Sequence, residues 1–145
     1  MSKLYTIYSD GGARGNPGPA AIGAVIKGEG IGVKEYAESI GEATNNVAEY
    51  KAVIFGLKKL KSLIGSEKAA QSEVKIMADS ELLVKQLNGE YKIKEPELQK
   101  LFVGLWNLRL DFDKVTFTHV PRGQNTRADE LLNRVLDGEE SRLDL

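Results

Sequence analysis

Apolar and polar residues alternate from Leu4 to Ser9, putting Tyr5, Ile7 and Ser9 on one face of a strand and Leu4, Thr6 and Tyr8 on the other. A second strand is predicted over 20–27. Between them, residues 10–19 hold four glycines and two prolines, which predicts a turn able to bring main chain close to a ligand. Residues 28–32 read as a hairpin turn into a third strand over about 33–40. The period then changes. Val47, Tyr50, Ile54, Leu57, Leu60 and Ile64 recur at three- and four-residue spacing, predicting a helix from Asn45 or Asn46 to Ile64, with Thr44-Asn45-Asn46 supplying its cap. A polar connection over 65–72 leads to a strand at 73–78. A short helix after Asp79-Ser80 reaches Leu87 and stops at Asn88-Gly89. A helix from Pro96 to about Leu110, a strand at 113–120, a Pro121-Arg122-Gly123 loop and a helix at about 126–137 follow. Met77, Trp106 and the stripe Leu98, Leu101, Phe102, Leu105 and Leu108 read as core.

The order β-β-β-α-β-α-α-β-α starts as an antiparallel hairpin and continues through crossovers. It predicts one α/β domain over 1–145 with a mixed sheet covered by helices, and an acidic tail over 138–145 that is either docked or loose. A chain of 145 residues with 41% hydrophobic and 28% charged residues suits a globular domain. With no cysteine and one histidine, disulfide frameworks, thiolate metal sites and His-rich zinc sites are excluded. No run reaches the length of a membrane span, and the N-terminus lacks the pattern of a signal peptide, so a cytoplasmic monomer is the default expectation. The net charge of −1 argues weakly against a nucleic-acid binder, but it hides a gradient. Residues 50–100 carry ten Lys against seven Asp or Glu.

Candidate chemistry lies in four acids placed at the ends of predicted elements: Asp10, Glu49, Asp79 and Asp129. In open α/β sheets ligands collect beyond the carboxyl ends of strands, and helix starts can point to the same rim. Converging carboxylates repel one another, and such hard oxygen ligands suit Mg²⁺ or Mn²⁺. Two such ions can clamp both oxygens of a phosphodiester displacement. Taken one at a time, each acid is better explained as a turn former, a helix-dipole partner or a cap.

The strings around the acids carry more. Tyr8-Ser9-Asp10-Gly11-Gly12-Ala13-Arg14-Gly15-Asn16-Pro17-Gly18-Pro19, Thr44-Asn45-Asn46-Val47-Ala48-Glu49-Tyr50, Asp79-Ser80 and Ala128-Asp129-Glu130-Leu131 resemble, in order, the motifs of type 1 ribonucleases H. The match runs across nearly the whole chain. The resemblance implies a ribonuclease-H-like fold, a five-stranded mixed sheet whose first three strands are antiparallel, flanked by helices on both faces. It implies that Asp10, Glu49, Asp79 and Asp129 hold two Mg²⁺ ions and cut the RNA strand of RNA–DNA hybrids, leaving 5′-phosphate and 3′-hydroxyl ends. It also implies substrate contacts from Gly11, Gly12, Asn16, Thr44, Asn45, Asn46 and Ser80. Asparagine amides can donate to and accept from the 2′-hydroxyl that separates RNA from DNA. Glu49 gains a second role, at the 2′-hydroxyl beside the scissile phosphate.

Three departures from the family pattern stand out. The stretch Lys85-Gln86-Leu87-Asn88-Gly89-Glu90-Tyr91-Lys92-Ile93-Lys94 lacks the Lys- and Trp-rich insertion of many bacterial members and resembles the compact archaeal and retroelement-related branch. Lys85, Lys92, Lys94 and Tyr91 form either a partial replacement or a solvated basic turn. The loop before the last helix has no histidine. Arg122 takes its place, able to pull on a phosphate or product but not to shuttle a proton. His119 precedes that loop in register with Val115 and Phe117 and reads as structural. Glu42 stands where relatives often have a basic residue serving a DNA phosphate, which raises double-stranded RNA and RNA–DNA junctions as further substrates. Two other readings compete: a DNA-acting nuclease or transferase of the wider superfamily, and a silent binding module.

Overall fold

A computed structural model describes residues 3–143, with side chains described as far as Gly138. Strands β1 (Lys3–Ala13), β2 (Gly18–Gly28), β3 (Gly32–Ala43), β4 (Ser72–Ala78) and β5 (Lys114–His119) form a five-stranded sheet in the order β3-β2-β1-β4-β5. The first three strands are an antiparallel meander; β4 runs parallel to β1, and β5 parallel to β4. The helices are α1 (Asn45–Ile64), α2 (Ser66–Ala70), α3 (Glu81–Leu87), α4 (Pro96–Arg109) and α5 (Thr126–Leu143), with a 3₁₀ turn at Arg122–Gln124. None of the described helices is long and apolar enough to cross a membrane.

The expected turn at 10–19 is mostly strand. Asp10, Gly11 and Gly12 pair with Gly23, Ile22 and Ala21, so β1 continues through Asp10 to Ala13 instead of ending there. The reversal is confined to 14–17, where Gly15 takes φ 103° and the Asn16–Pro17 peptide is cis. Glycine at 11 marks close packing rather than a bend. The polar connection before β4 contains α2, which the sequence reading missed because its five residues are too few to display a helical period. The last helix does not stop at 137: α5 continues to Leu143, so most of the expected tail is helical, and residues 144 and 145 lie outside the described residues.

The two faces of the sheet are covered by different helices. Neighbouring residues of a strand point to opposite faces. A Cβ added at Gly11 would lie 2.2 Å from the Ala48 carbonyl carbon and oxygen in α1. One at Gly23, opposite Asp10 in the ladder, would lie 2.1 Å from the Ala128 carbonyl oxygen in α5. On the α1 face Tyr5, Ile7, Val53, Leu57, Leu60 and Ile76 are buried in one core cluster. On the α5 face a smaller cluster joins Ala21, Leu132 and Leu136. Trp106 is not core. It lies one residue, and so about 100° around the helix, from buried Leu105. There it is 36% exposed, stacked on Phe102 and with the Arg109 guanidinium over its ring. Met77 is half-buried.

Candidate active site

The parallel strands β1, β4 and β5 all present their carboxyl ends to the same rim, and α1 and α5 start there. Thr44 caps α1 by accepting from the Val47 amide at 3.2 Å, which fixes where the first turn of that helix begins. Glu49, one turn further on, is then carried against β1 by the backbone contact at Gly11. The Gly11 amide donates to Glu49 Oε1 at 3.1 Å. Ser80 caps α3 in the same manner, accepting from the Leu83 amide at 3.2 Å, directly after Asp79.

Carboxylate oxygens of Asp10, Glu49 and Asp79 lie within 4.8 Å of one another. Asp129 is half-buried in the first turn of α5 and within reach of Asp10, but it is not part of that tight group. All four line a cleft of about 590 Å³, together with Gly11, Gly12, Asn45, Asn46, Ser80 and Arg122. Asp10 and Glu49 are buried, at 6% and 9% exposure. Burial first, and the facing carboxylates second, push the Asp10 carboxyl far above the usual carboxylate range. Burial also raises Glu49, opposed by the facing Asp10 carboxyl and by the Gly11 amide that donates to it. Asp79 is raised by burial and drawn back by the Arg122 guanidinium. Glu49 Oε2 is buried without any hydrogen-bond partner. A buried carboxylate in this state requires a proton or a cation. The donor set, hard oxygens only, fits Mg²⁺ or Mn²⁺.

The match of residues 8–135 to the family model described as "Reverse transcriptase-like" spans the whole of this site. The chain is 43% identical over 134 residues to "Ribonuclease HI" of Halobacterium salinarum, covering 90% of this chain and 63% of that one. The chain belongs to the type 1 ribonuclease H family. It is also 41% identical over 133 residues to "Bifunctional protein Rv2228c" of Mycobacterium tuberculosis, covering 90% of this chain but 35% of that protein. The chain thus spans about a third of the length of the mycobacterial relatives it matches. Among solved structures, the N-terminal RNase H domain of rv2228c from Mycobacterium tuberculosis superposes with TM-score 0.86 at 40% identity, over 98% of this chain and 99% of that one. LC11-RNase H1, solved in complex with RNA/DNA hybrid, superposes with TM-score 0.85 at 44% identity, over 93% and 98%.

For a ribonuclease H fold, the remaining residues of interest sit as follows. Asn16 and Thr44 do not line the cleft. Asn16 lies behind Asn45, its Oδ1 accepting from the Asn45 amide at 3.0 Å, while Asn45 Oδ1 accepts from the Ala13 amide at 2.9 Å. Both side-chain oxygens are therefore engaged in joining the β1–β2 turn to α1, and the Nδ2 groups remain as donors. Arg122 is exposed, in the 3₁₀ turn rather than a plain loop. His119 is exposed at the end of β5. Lys85 is held by Glu81 at 2.8 Å and lies over the Tyr91 ring, so of the basic turn only Lys92 and Lys94 have no such partner among the described residues.

Arg14, Asn125 and Asn133 escaped the sequence reading. Arg14 reaches α5, pairing with Asp137 at 2.7 Å and donating to Asn133 Oδ1 at 3.2 Å. Asn133 Nδ2 in turn donates to the Asp129 carbonyl at 2.9 Å. The four-residue spacing of Asp129, Asn133 and Asp137 on one helix face was the available signal.

Proposed function

We propose that the chain is a metal-dependent endoribonuclease that hydrolyses the RNA strand of RNA–DNA hybrids, leaving 5′-phosphate and 3′-hydroxyl ends. The observation that carries this reading is the partnerless Glu49 Oε2, buried among carboxylates whose oxygens lie within 4.8 Å. Asp10, Glu49 and Asp79, with Asp129 at their side, would hold two Mg²⁺ ions. Such ions would supply an activated water and stabilise the leaving 3′-oxygen.

The residues of the chain itself account for the rest. Asn45 and Asn46 offer amide donors on the cleft wall, suited to 2′-hydroxyls and base edges of a minor groove. With its Oδ1 committed to the Asn45 amide, Asn16 secures this wall and is free to donate through Nδ2. Thr44 can still donate its hydroxyl hydrogen to a phosphate while its oxygen caps α1. Gly11 and Gly12 leave the floor without side chains, and Ser80 borders it. Arg122 attracts the phosphate and the departing product.

Glu42 favours a broader specificity. It is exposed beside Pro19 at the end of β3, two residues before Thr44, and repels a deoxy-strand phosphate seated there. Cleavage of double-stranded RNA and of RNA–DNA junctions is the corresponding expectation. Labelled hybrid, double-stranded RNA, a junction substrate, double-stranded DNA and single-stranded RNA, each with Mg²⁺ and with EDTA, test both readings. Hybrid cleavage that survives in Asp10→Asn refutes the metal assignment. Failure to cut double-stranded RNA refutes the broader specificity alone.

A further inference from the structure

Asn125 is 1% exposed, the residue between the 3₁₀ turn and α5. Its Nδ2 donates to the Ser9 carbonyl at 2.8 Å, at the point where the ladder between β1 and β4 ends with Ser9 opposite Ala78. Its own main-chain carbonyl accepts from the Asp129 amide at 3.3 Å. The side-chain amide also lies near enough to the Asp79 carboxyl to oppose the upward shift that burial imposes. Asn125 thus ties the chain beside Asp10, through its side chain, to the start of the helix that carries Asp129, through its main chain, with the side-chain amide near Asp79. Its Oδ1 is buried with no partner. Leaving an acceptor unpaired costs stability, so the amide is poorly explained as a device for holding the fold alone.

We propose that Asn125 is a positioning residue that sets Asp79 and Asp129 against Asp10, and through them the affinity of the cleft for a divalent cation. The inference rests on the metal-dependent reading above. Asparagine suits this place because it donates to the Ser9 carbonyl without adding a further negative charge to the cluster. Aspartate has the same shape but, when ionised, cannot donate to that carbonyl and repels its neighbours.

Calorimetric titration of Mg²⁺ into the full chain, paired with steady-state cleavage of hybrid, separates placement from general stability. The proteins compared are the wild type, Asn125→Ala, Asn125→Asp and Leu98→Ala, a truncation of a buried α4 residue remote from the cleft. Folding is checked by circular dichroism, and the Asp variant carries the comparison if the Ala variant does not fold. We expect the Asn125 variants to bind Mg²⁺ about 10–100-fold more weakly, with kcat lowered and KM for hybrid changed less than about threefold. Leu98→Ala retains wild-type Mg²⁺ affinity even where its melting temperature is lower. Wild-type Mg²⁺ affinity in a folded Asn125 variant overturns the proposal, as does an equal loss in Leu98→Ala. A wild-type chain that neither binds Mg²⁺ nor cleaves hybrid overturns the functional reading, and this inference with it.

Discussion

Asp10 is the residue at which charge and burial conflict most. Its folded-state carboxyl titrates far above the unfolded value near 4, so the folded metal-free protein holds a proton there that the unfolded chain releases. The sign follows: this group's contribution is fully present below the unfolded pKa and is lost as pH rises toward the folded one. Asp10→Asn removes the charge and keeps the shape. It should raise the melting temperature of the metal-free protein by a few °C at pH 8, roughly 1–2 kcal/mol, with the gap shrinking toward pH 4 and closing when Mg²⁺ is added. Thermal scans with EDTA across that pH range measure it, and an unchanged gap contradicts the shift. The same substitution is expected to abolish cleavage. Arg122→Ala, at an exposed side chain, should leave stability within about 0.5 kcal/mol while lowering kcat/KM for hybrid on the order of tenfold. Urea melts and initial rates check both halves. The four acids could be found in the sequence because distinctive strings surround them. Asn125 and Arg14 could not, since a lone Asn before a helix reads as a cap and a lone Arg in a turn reads as solvated.

Elements with a clear period were readable along the chain. Strands 4–9 and 73–78 and helix α1 appear where alternation and the three-four spacing put them, and the first face of β1 is buried as expected at Tyr5, Ile7 and Ser9. Boundaries failed where side chains carry no pattern. Gly11 and Gly12 look like turn residues until β2 is laid beside them, and α5 passes 137 because an acidic, weakly apolar helix end resembles a tail. The glycine contacts give a prediction at this scale. Gly11→Ala and Gly23→Ala each force a helix backbone off the sheet, and each should cost about 2–4 kcal/mol of stability and most of the activity. Gly12→Ala is the control, since its Cβ would meet only Leu132 Cδ1 at 3.4 Å. Equal urea midpoints for all three would refute the seating argument.

At the scale of the whole molecule, net charge is −1, so on the hybrid-cutting reading proposed above binding would rely on a small set of phosphate contacts. KM for hybrid should nonetheless rise on the order of tenfold or more from roughly 50 to 200 mM salt, as released counterions become harder to displace. Lys92→Ala with Lys94→Ala should flatten that dependence if the turn after α3 touches substrate, and leave it unchanged if the turn is merely solvated.

The seating of α1 and α5 on Gly11 and Gly23 has a bearing on how freely this protein can be redesigned. Two of the acids are registered by main chain lying on main chain, a spacing set by van der Waals contact between backbones and not by the volume of any side chain. The interior behind them, around Leu57, Leu60 and Leu98, is therefore open to volume-conserving exchange in search of heat resistance, with the placement of the acids left as it was.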